Sequence, residues 1–526
     1  MSDETVPPAP PTPPAPPAPP APPVPPTPPV PPAPPGSYAA AAEQPKKGNV
    51  GKIAAITAGV VVLVGGLAWG AFALFGGGGL PTSDKPLAAA SVLPADAIAY
   101  VGIDAAENGA GFTGLRELQA RFPALEGQST DEVLTEGIED LFGSAGISYE
   151  ADIKPWFGGA IGFAVVGVDA QGEPQVVIAA EATDLAKARD FFARVSANSS
   201  KATIAERGNF ILVSNAGAPA TSGPVLADRA EFTQPIGKLG GIGAVYAWLD
   251  VAKLGPLVQQ ASSAFGPGAG APSIAGFPTS GHMGATLRLG GKGVEFVTAA
   301  SGEASGAPVG AIVNSLVAKL PDDTLLGLEL AGLGDQIQWL YENGERLYGA
   351  EFAEFRQAID DLLTGTGATS VKELVGERLA VAVLPEVLGA VTSGAPQGIV
   401  LVLQGGDLNK QEQALWVALS GLAGDGLTIE QDAANQRLYV STDAASIAKV
   451  KQGGNFGGRE GFKASLHRVE GASTILYVDG ANVLSLLSNF GLPDDVARSL
   501  EPIQGLGLSA EGTQTEGYSV FKLSLK

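Results

Sequence analysis

Residues Ile53 to Phe75, IAAITAGVVVLVGGLAWGAFALF, run for 23 positions without a charged side chain. At about 1.5 Å of rise per residue, one helix of that length spans the roughly 30 Å hydrocarbon core of a bilayer. The run predicts a signal anchor, a single transmembrane helix over 50–76 that places the lipid bilayer among the partners of the chain. A cleaved signal peptide fits less well, because its apolar region would be about 7–15 residues long and would open the chain. Lys46, Lys47 and Lys52 crowd the N-terminal flank, whereas Asp84 and Lys85 cancel beyond the other end. The excess of lysine predicts an N-terminus held in the cytoplasm and everything from about Leu80 onward outside.

The segment before the anchor, 1–49, is low in complexity. Between Pro7 and Pro35 it holds 20 of the chain's 40 prolines, mostly as PPA, PPV and PPT. Each proline fixes φ and lacks an N–H, so neither helix nor sheet can form. A disordered tail in polyproline II conformation is expected, serving as a spacer or as a strip for a cytoplasmic reader of proline-rich segments. The tract holds no Lys or Arg to orient such a reader.

Beyond a linker over 77–89, the outer part is long enough for two domains. Acids and bases cancel before residue 80, so the net charge of −22 belongs to the outer part. That argues against a nucleic-acid partner and against docking on anionic headgroups by charge. The absence of cysteine excludes disulfides, thiol catalysis, thiolate metal sites and a lipidated N-terminal Cys.

The outer part reads as if written twice. Leu93-Pro-Ala-Asp recurs as Leu320-Pro-Asp-Asp, Ile153-Lys-Pro-Trp-Phe-Gly158 as Val371-Lys-Glu-Leu-Val-Gly376, and Pro174-Gln-Val-Val-Ile as Pro396-Gln-Gly-Ile-Val. Asp184-Leu-Ala-Lys then matches Asp407-Leu-Asn-Lys, Ile211-Leu-Val-Ser matches Leu438-Tyr-Val-Ser, and Trp248-Leu-Asp250 matches Tyr477-Val-Asp479. The common order predicts two related lobes, 90–305 and 318–526, joined by a connector at 306–317. Short branched and aromatic runs (Ile98 to Ile103, Ile161 to Val168, Val176 to Glu181, Phe210 to Ser214, Val294 to Ala299) predict strands. Asp184 to Ala197 opens with a capping acid and aligns Leu185, Ala188, Phe191, Phe192 and Val195 on one helical face. Hairpin-length turns such as Asp169-Ala-Gln-Gly and Arg207-Gly-Asn favour antiparallel sheet with packed helices, an α+β class.

An anchor behind a proline-rich tail, followed by SVLPADAIAYVGID, FFARV and ILVSNAG, resembles the family called domain of unknown function 3352 over roughly residues 85–526. The resemblance implies a protein of the bacterial envelope, especially of actinobacteria. It carries no activity and no site residue.

Catalytic patterns are sparse. His282 and His467 sit in no ligand spacing, and no nucleophile elbow, Walker loop, dinucleotide fingerprint or EF-hand loop is present. His282 reads as a turn or strand-edge residue and His467 as a complement to a helix C-terminus. Ser446-Ile-Ala-Lys449 matches the S-x-x-K of penicillin-interacting enzymes, without their further elements, and reads better as an exposed helix face. The pairs Asp322/Asp323, Asp360/Asp361 and Asp494/Asp495 are sequence neighbours that point apart, and Asp250 and Asp479 read as helix caps. The expectation is a non-enzyme with no catalytic, cofactor or metal residue.

Asp335 to Leu363 predicts one or two amphipathic helices interrupted at Gly344 or Gly349, with Asp335 as cap. Their stripe, Ile337, Leu340, Tyr341, Leu347, Tyr348, Phe352, Phe355, Ile359 and Leu362, is either core or a lid over an apolar groove. Three functions stay open, in this order: an envelope scaffold with a protein partner, a binder of a lipid or other hydrophobic ligand, and a wall hydrolase. The predicted topology is testable directly. Protease added to spheroplasts should digest the outer part and leave a protected tail-plus-anchor fragment; a cut tail with an intact outer part would reverse the orientation.

Overall fold

Branched and aromatic runs separated by glycine turns lay strands down in pairs. Thr203–Arg207 and Phe210–Ser214 face each other across Gly208-Asn209, where Gly208 takes φ +60°, a conformation that glycine adopts without strain. The computed structural model describes residues 80–122, 147–169, 174–196, 202–253, 280–302, 309–388, 397–423, 426–489 and 491–526. The proline-rich tail and the apolar run Ile53–Phe75 lie outside the described residues.

In the first half the strands are β1 (Ala99–Asp104), β2 (Phe157–Val168), β3 (Pro174–Ala182), β4 (Thr203–Arg207), β5 (Phe210–Ser214), β6 (Val245–Asp250), β7 (His282–Gly290) and β8 (Gly293–Ser301). The second half holds β9 (Leu326–Ala331), β10 (Arg378–Val383), β11 (Ile399–Gln404), β12 (Thr428–Asp432), β13 (Arg437–Ser441), β14 (Thr474–Asp479), β15 (Ile503–Gly512) and β16 (Glu516–Leu525). All 16 form one sheet, in the order β12-β13-β11-β10-β9-β14-β15-β16-β8-β7-β6-β1-β2-β3-β5-β4, and every pairing is antiparallel. The order β8-β7-β6-β1-β2-β3-β5-β4 on one side of the β8–β16 seam is repeated on the other with each strand number raised by eight. The protein is therefore α+β with a large antiparallel sheet.

Helices cover both faces of that sheet. The face that carries Tyr100, Tyr246, Tyr439 and Tyr477, here the tyrosine face, is packed by α4 (Ala230–Leu239), α9 (Ala444–Gln452) and α10 (Glu460–Ser465). The opposite, leucine face is packed in the first half by α2 (Ala110–Gln119) and α3 (Leu185–Ser196), which bring Phe112, Phe191 and Phe192 against Trp156, Ile161 and Phe163. Asp184 caps α3 through the Lys187 N–H at 3.1 Å. In the second half α8 (Leu408–Ala423) covers the edge strands.

Two segments expected as linkers belong to the folded cores. Within the predicted 77–89 linker, the four-residue helix α1 (Lys85–Ala88) and Ala89 pack on the tyrosine face, and the Tyr100 hydroxyl donates to the Pro86 carbonyl at 2.6 Å. Within the predicted 306–317 connector, Ile312, Leu316 and Val317 are buried in the second half's core. The fully buried Glu329 ties that segment down by accepting from the Ser315 hydroxyl and the Leu316 and Val317 N–H groups at 2.6, 2.9 and 3.2 Å. Apolar side chains hold both stretches where a free linker would be polar, and the buried carboxylate adds to the second.

The halves also share an ion pair. Arg229, ahead of α4, donates to Asp250 at 3.1 Å and to the Ala95 carbonyl at 3.3 Å. Arg459, ahead of α10, donates to Asp479 at 2.5 and 3.1 Å and to the Asp322 carbonyl at 3.1 Å. In each case the strand-end aspartate also accepts from the N–H three residues on, Lys253 at 3.4 Å and Asn482 at 2.8 Å. Removing Arg459 leaves a buried carboxylate uncompensated. Arg459→Ala should therefore cost stability towards the lower end of the roughly 3–5 kcal/mol typical of broken buried pairs, since 31% of the arginine side chain meets water. Chemical denaturation of the variant measures it.

Candidate functional site: a half-open apolar face

Along β9 the sequence LGLELA alternates leucine with Gly327, Glu329 and Ala331. The leucines fall on one face of the sheet because side chains alternate with period two. Gly327, Glu329 and Ala331 are buried, whereas Leu326, Leu328 and Leu330 are each only half-buried. Every neighbouring central strand repeats the pattern on the same face. Leu379, Val381 and Val383 of β10, Leu476 and Val478 of β14, and Leu506 and Leu508 of β15 are all half-buried, while their alternates on the tyrosine face are mostly fully buried.

Register joins these side chains into rows. Leu401, Val381, Leu328, Leu476 and Leu508 stand opposite one another across β11, β10, β9, β14 and β15. Ile399, Val383, Leu326, Val478 and Leu506 form a parallel row nearer one end of the strands. Five strands at about 4.8 Å spacing make each row about 19 Å long. Except for Thr474, the side chains on this face of the three strands β9, β10 and β14 carry no hydrogen-bonding group. The aliphatic surface left in contact with water favours an apolar occupant, by about 25 cal/mol per Å² removed from water.

The helices beside these rows leave them partly open. α5 (Leu333–Tyr348) packs against β10, and α11 (Gly480–Asn489) packs against β14 and β15. Ile337, Trp339 and Leu340 of α5 and Val483, Leu484, Leu486 and Leu487 of α11 are themselves half-buried. α6 (Ala353–Thr366) likewise holds no fully buried residue. In the first half only the β1–β2 part of the equivalent face is closed: Val101, Ile161, Phe163 and Val165 are 4% exposed or less, whereas Val245 and Ala247 of β6 and Leu287 and Leu289 of β7 are half-buried like their counterparts. Shared strand order therefore does not bring shared filling.

The predicted stripe divides into α5 and α6 with a short 3-10 turn at Gly349–Phe352, and Gly349 takes φ +63°. Asp335 is not the cap: Gly332 holds that position, and Asp335 lies in the first turn, paired with Lys372 at 3.1 Å. Phe352 is 6% exposed and Phe355 is 40% exposed, so the stripe is core at one ring and surface at the other. In the concavity between these helices, lined by Glu345, Phe352, Arg356, Asp360 and Asp361, Arg356 pairs with Glu345 and the Tyr341 hydroxyl donates to Asp360.

The catalytic candidates are bound into local structure. The Ser446 hydroxyl donates to Asp443 at 2.7 Å, the cap of α9, and Lys449 is held by Asp323 and Glu386 at 2.6 and 2.8 Å. Ser446 is buried, which differs from the exposed helix face expected. His282 Nε2 lies 2.6 Å from the Ser301 hydroxyl and 3.1 Å from the Gln234 amide, and burial lowers its pKa below the usual imidazole value. His467 is exposed, past the end of α10, with its ring tilted against that of Tyr518 at 5.6 Å between centroids. Asp322 accepts from the Asn455 N–H at 2.9 Å, and Asp494 and Asp495 occupy the first turn of α12 (Asp494–Leu500), favourable for a helix dipole. Among the described residues no group of three or more His, Asp or Glu could hold a metal ion.

The half-open face was not among the expectations from sequence, although leucine alternates with Gly327, Glu329 and Ala331 in LGLELA and with Gly505, Gly507 and Ser509 in GLGLSA. Residues 56–230 match the model of a family described as a protein of unknown function, DUF3352, and the chain resembles that family over this stretch, from within the apolar run to the start of α4. No curated protein and no solved structure matches. Burial of the two rings separates core from surface. Phe352→Ala should cost about 3–5 kcal/mol, as large-to-small core changes do, whereas Phe355→Ala should shift stability by well under 1 kcal/mol. Thermal melts of the two variants decide it.

Proposed function

We propose that this chain is a single-pass, membrane-anchored protein of the bacterial envelope whose extracytoplasmic part is built from two related repeats and whose second repeat holds a lipid or similar hydrophobic ligand without catalysis. The half-buried leucine face of β9, β10, β14 and β15 is the observation that carries the reading. A core closed for stability alone would bury those side chains, as β2 of the first half does with Ile161, Phe163 and Val165. The common strand order and the Arg229–Asp250 and Arg459–Asp479 pairs support the repeat reading. The uncharged run Ile53–Phe75 supports the anchor.

An aliphatic chain suits the face better than a peptide. A bound strand or loop would bring N–H and C=O groups that need partners, and the rows offer none. A row of about 19 Å also exceeds the roughly 15 Å depth of one leaflet's hydrocarbon, so it accommodates an extended acyl tail. An envelope scaffold is the second reading, favoured by Trp416 and Val417 of α8, which are 41% and 65% exposed.

The test uses the full chain in nanodiscs that contain a phospholipid with a photoreactive acyl tail. Cross-linked peptides are expected from β9, β10, β14 and β15 as well as from the anchor, and Leu328→Gln should lose the former while keeping the latter. Labelling confined to Ile53–Phe75 would remove the ligand reading. No labelling of Ile53–Phe75 would remove the anchor.

A further inference from the structure

The position at which the chain enters the fold orients the whole sheet relative to the predicted anchor. Only Gly76–Gly79 separate Phe75 from Leu80. Four residues extend at most about 14 Å, so Leu80 is held close to the bilayer surface if Ile53–Phe75 spans it. Leu80 packs against Gly290 at the turn between β7 and β8, and Ser83 N–H donates to the Ile242 carbonyl at 2.7 Å. Register carries that end of the sheet across the seam. Gly290 stands opposite Gly293, Gly293 opposite Ser524, Ser524 opposite Gly505, and Gly505 opposite Asp479, the residue before α11. The exposed Ile399 begins β11 at the same end, one row in, in line with Leu289.

We propose that this end of the sheet, with α11 at its centre, rests on the outer leaflet of the membrane that anchors the chain, so that the leucine face opens towards lipid. The proposal rests on the anchor reading. α11, GANVLSLLSN, carries no charged side chain, and its most exposed positions are Ala481, Ser485, Ser488 and Asn489. Nothing on that surface loses a charge's hydration on entering the headgroup layer. Val496 of the following helix adds an aliphatic side chain that is 40% exposed. The chain carries −22 in all, and the charges around this end are of both signs: Arg121, Lys292, Arg498 and Lys526 stand with Glu117, Asp322, Asp494, Asp495 and Glu501. Contact by apolar burial rather than by headgroup attraction follows, and it should be indifferent to the anionic lipid content.

The cysteine-free chain permits single labels. Full-length protein with Ser485→Cys or Thr515→Cys, the latter in the turn at the opposite end of β15 and β16, is labelled with an environment-sensitive fluorophore and reconstituted in vesicles. With a quencher on the lipid tails or headgroups, the label at 485 should lose most of its fluorescence and the label at 515 very little. The loss at 485 should be the same in zwitterionic and partly anionic vesicles. Equal quenching at both positions, or none at 485 in protein that floats with the vesicles, would overturn the proposal. Quenching at 485 only in anionic vesicles would also overturn it, by assigning the contact to charge. Failure to float with vesicles would instead strike the anchor on which the proposal stands.

Discussion

The ladder between β8 and β16 is the interaction on which the rest of the structure depends. It pairs Gly293–Ser301 with Glu516–Ser524 residue for residue, without a bulge. Each half ends its own strand order on one of these two strands, so without the ladder each would present a long edge of unpaired N–H and C=O groups. Joining them converts two eight-stranded sheets into one and, among the described residues, leaves the five-residue strands β4 and β12 as its edges. Side chains reinforce the seam on both faces. On the leucine face Phe296 and Phe521 stand opposite each other, and Leu118 of α2 packs with Val294 and Leu523. On the tyrosine face the buried Arg288–Glu295 pair lies beside Lys522, whose pKa burial lowers. Arg288 also reaches the carbonyls of Leu239 and Gly241, so the same guanidinium fixes the end of α4.

A continuous sheet makes register a property of the whole molecule. Because the side-chain period is two, a slip of one residue at the seam would turn the leucine face of one half to the side of the tyrosine face of the other. The rows would then break between β16 and β8. As it stands, the row through Leu328 and Leu476 continues through Leu508, Phe521, Phe296 and Leu287. Across the seam the row meets the buried cluster of Leu118, Val294, Leu523 and Leu525, against which Leu287 and Leu506 pack while remaining half-buried.

Much of this was legible in the sequence, for reasons that can be located. Local signals predicted α3 with its Asp184 cap, the Gly208 hairpin and the antiparallel class, because capping and turn geometry act within a few residues. The recurring blocks were visible because Asp250 and Asp479 do the same work, receiving an arginine and capping the next turn. The arginines themselves went unnoticed, since Arg229 and Arg459 lie in dissimilar surroundings and only the fold brings each to its aspartate. Asp335 was misassigned as a cap because Gly332, three residues earlier, could already start the helix in a conformation that glycine takes freely. The half-open face was not legible either. Alternating leucines promise burial, and whether the covering helices complete it depends on packing that no short window contains.

What separates the halves is the residue chosen at equivalent positions. On the covered side of β2 stand Ile161, Phe163 and Val165, which fill space beneath Phe191, Phe192 and Trp156. On the corresponding side of β10 stand Leu379, Val381 and Val383, all half-buried, and the nearby buried cluster of Leu403, Leu408, Leu427, Leu438 and Val440 is wholly aliphatic. An antiparallel sheet of this size gains enough from the first half's core, the tyrosine face and the seam to tolerate a loosely covered leucine face. The aliphatic side chains there remain individually favourable to bury, so the surface that a stability argument would fill is left with a residual affinity for anything apolar that reaches it.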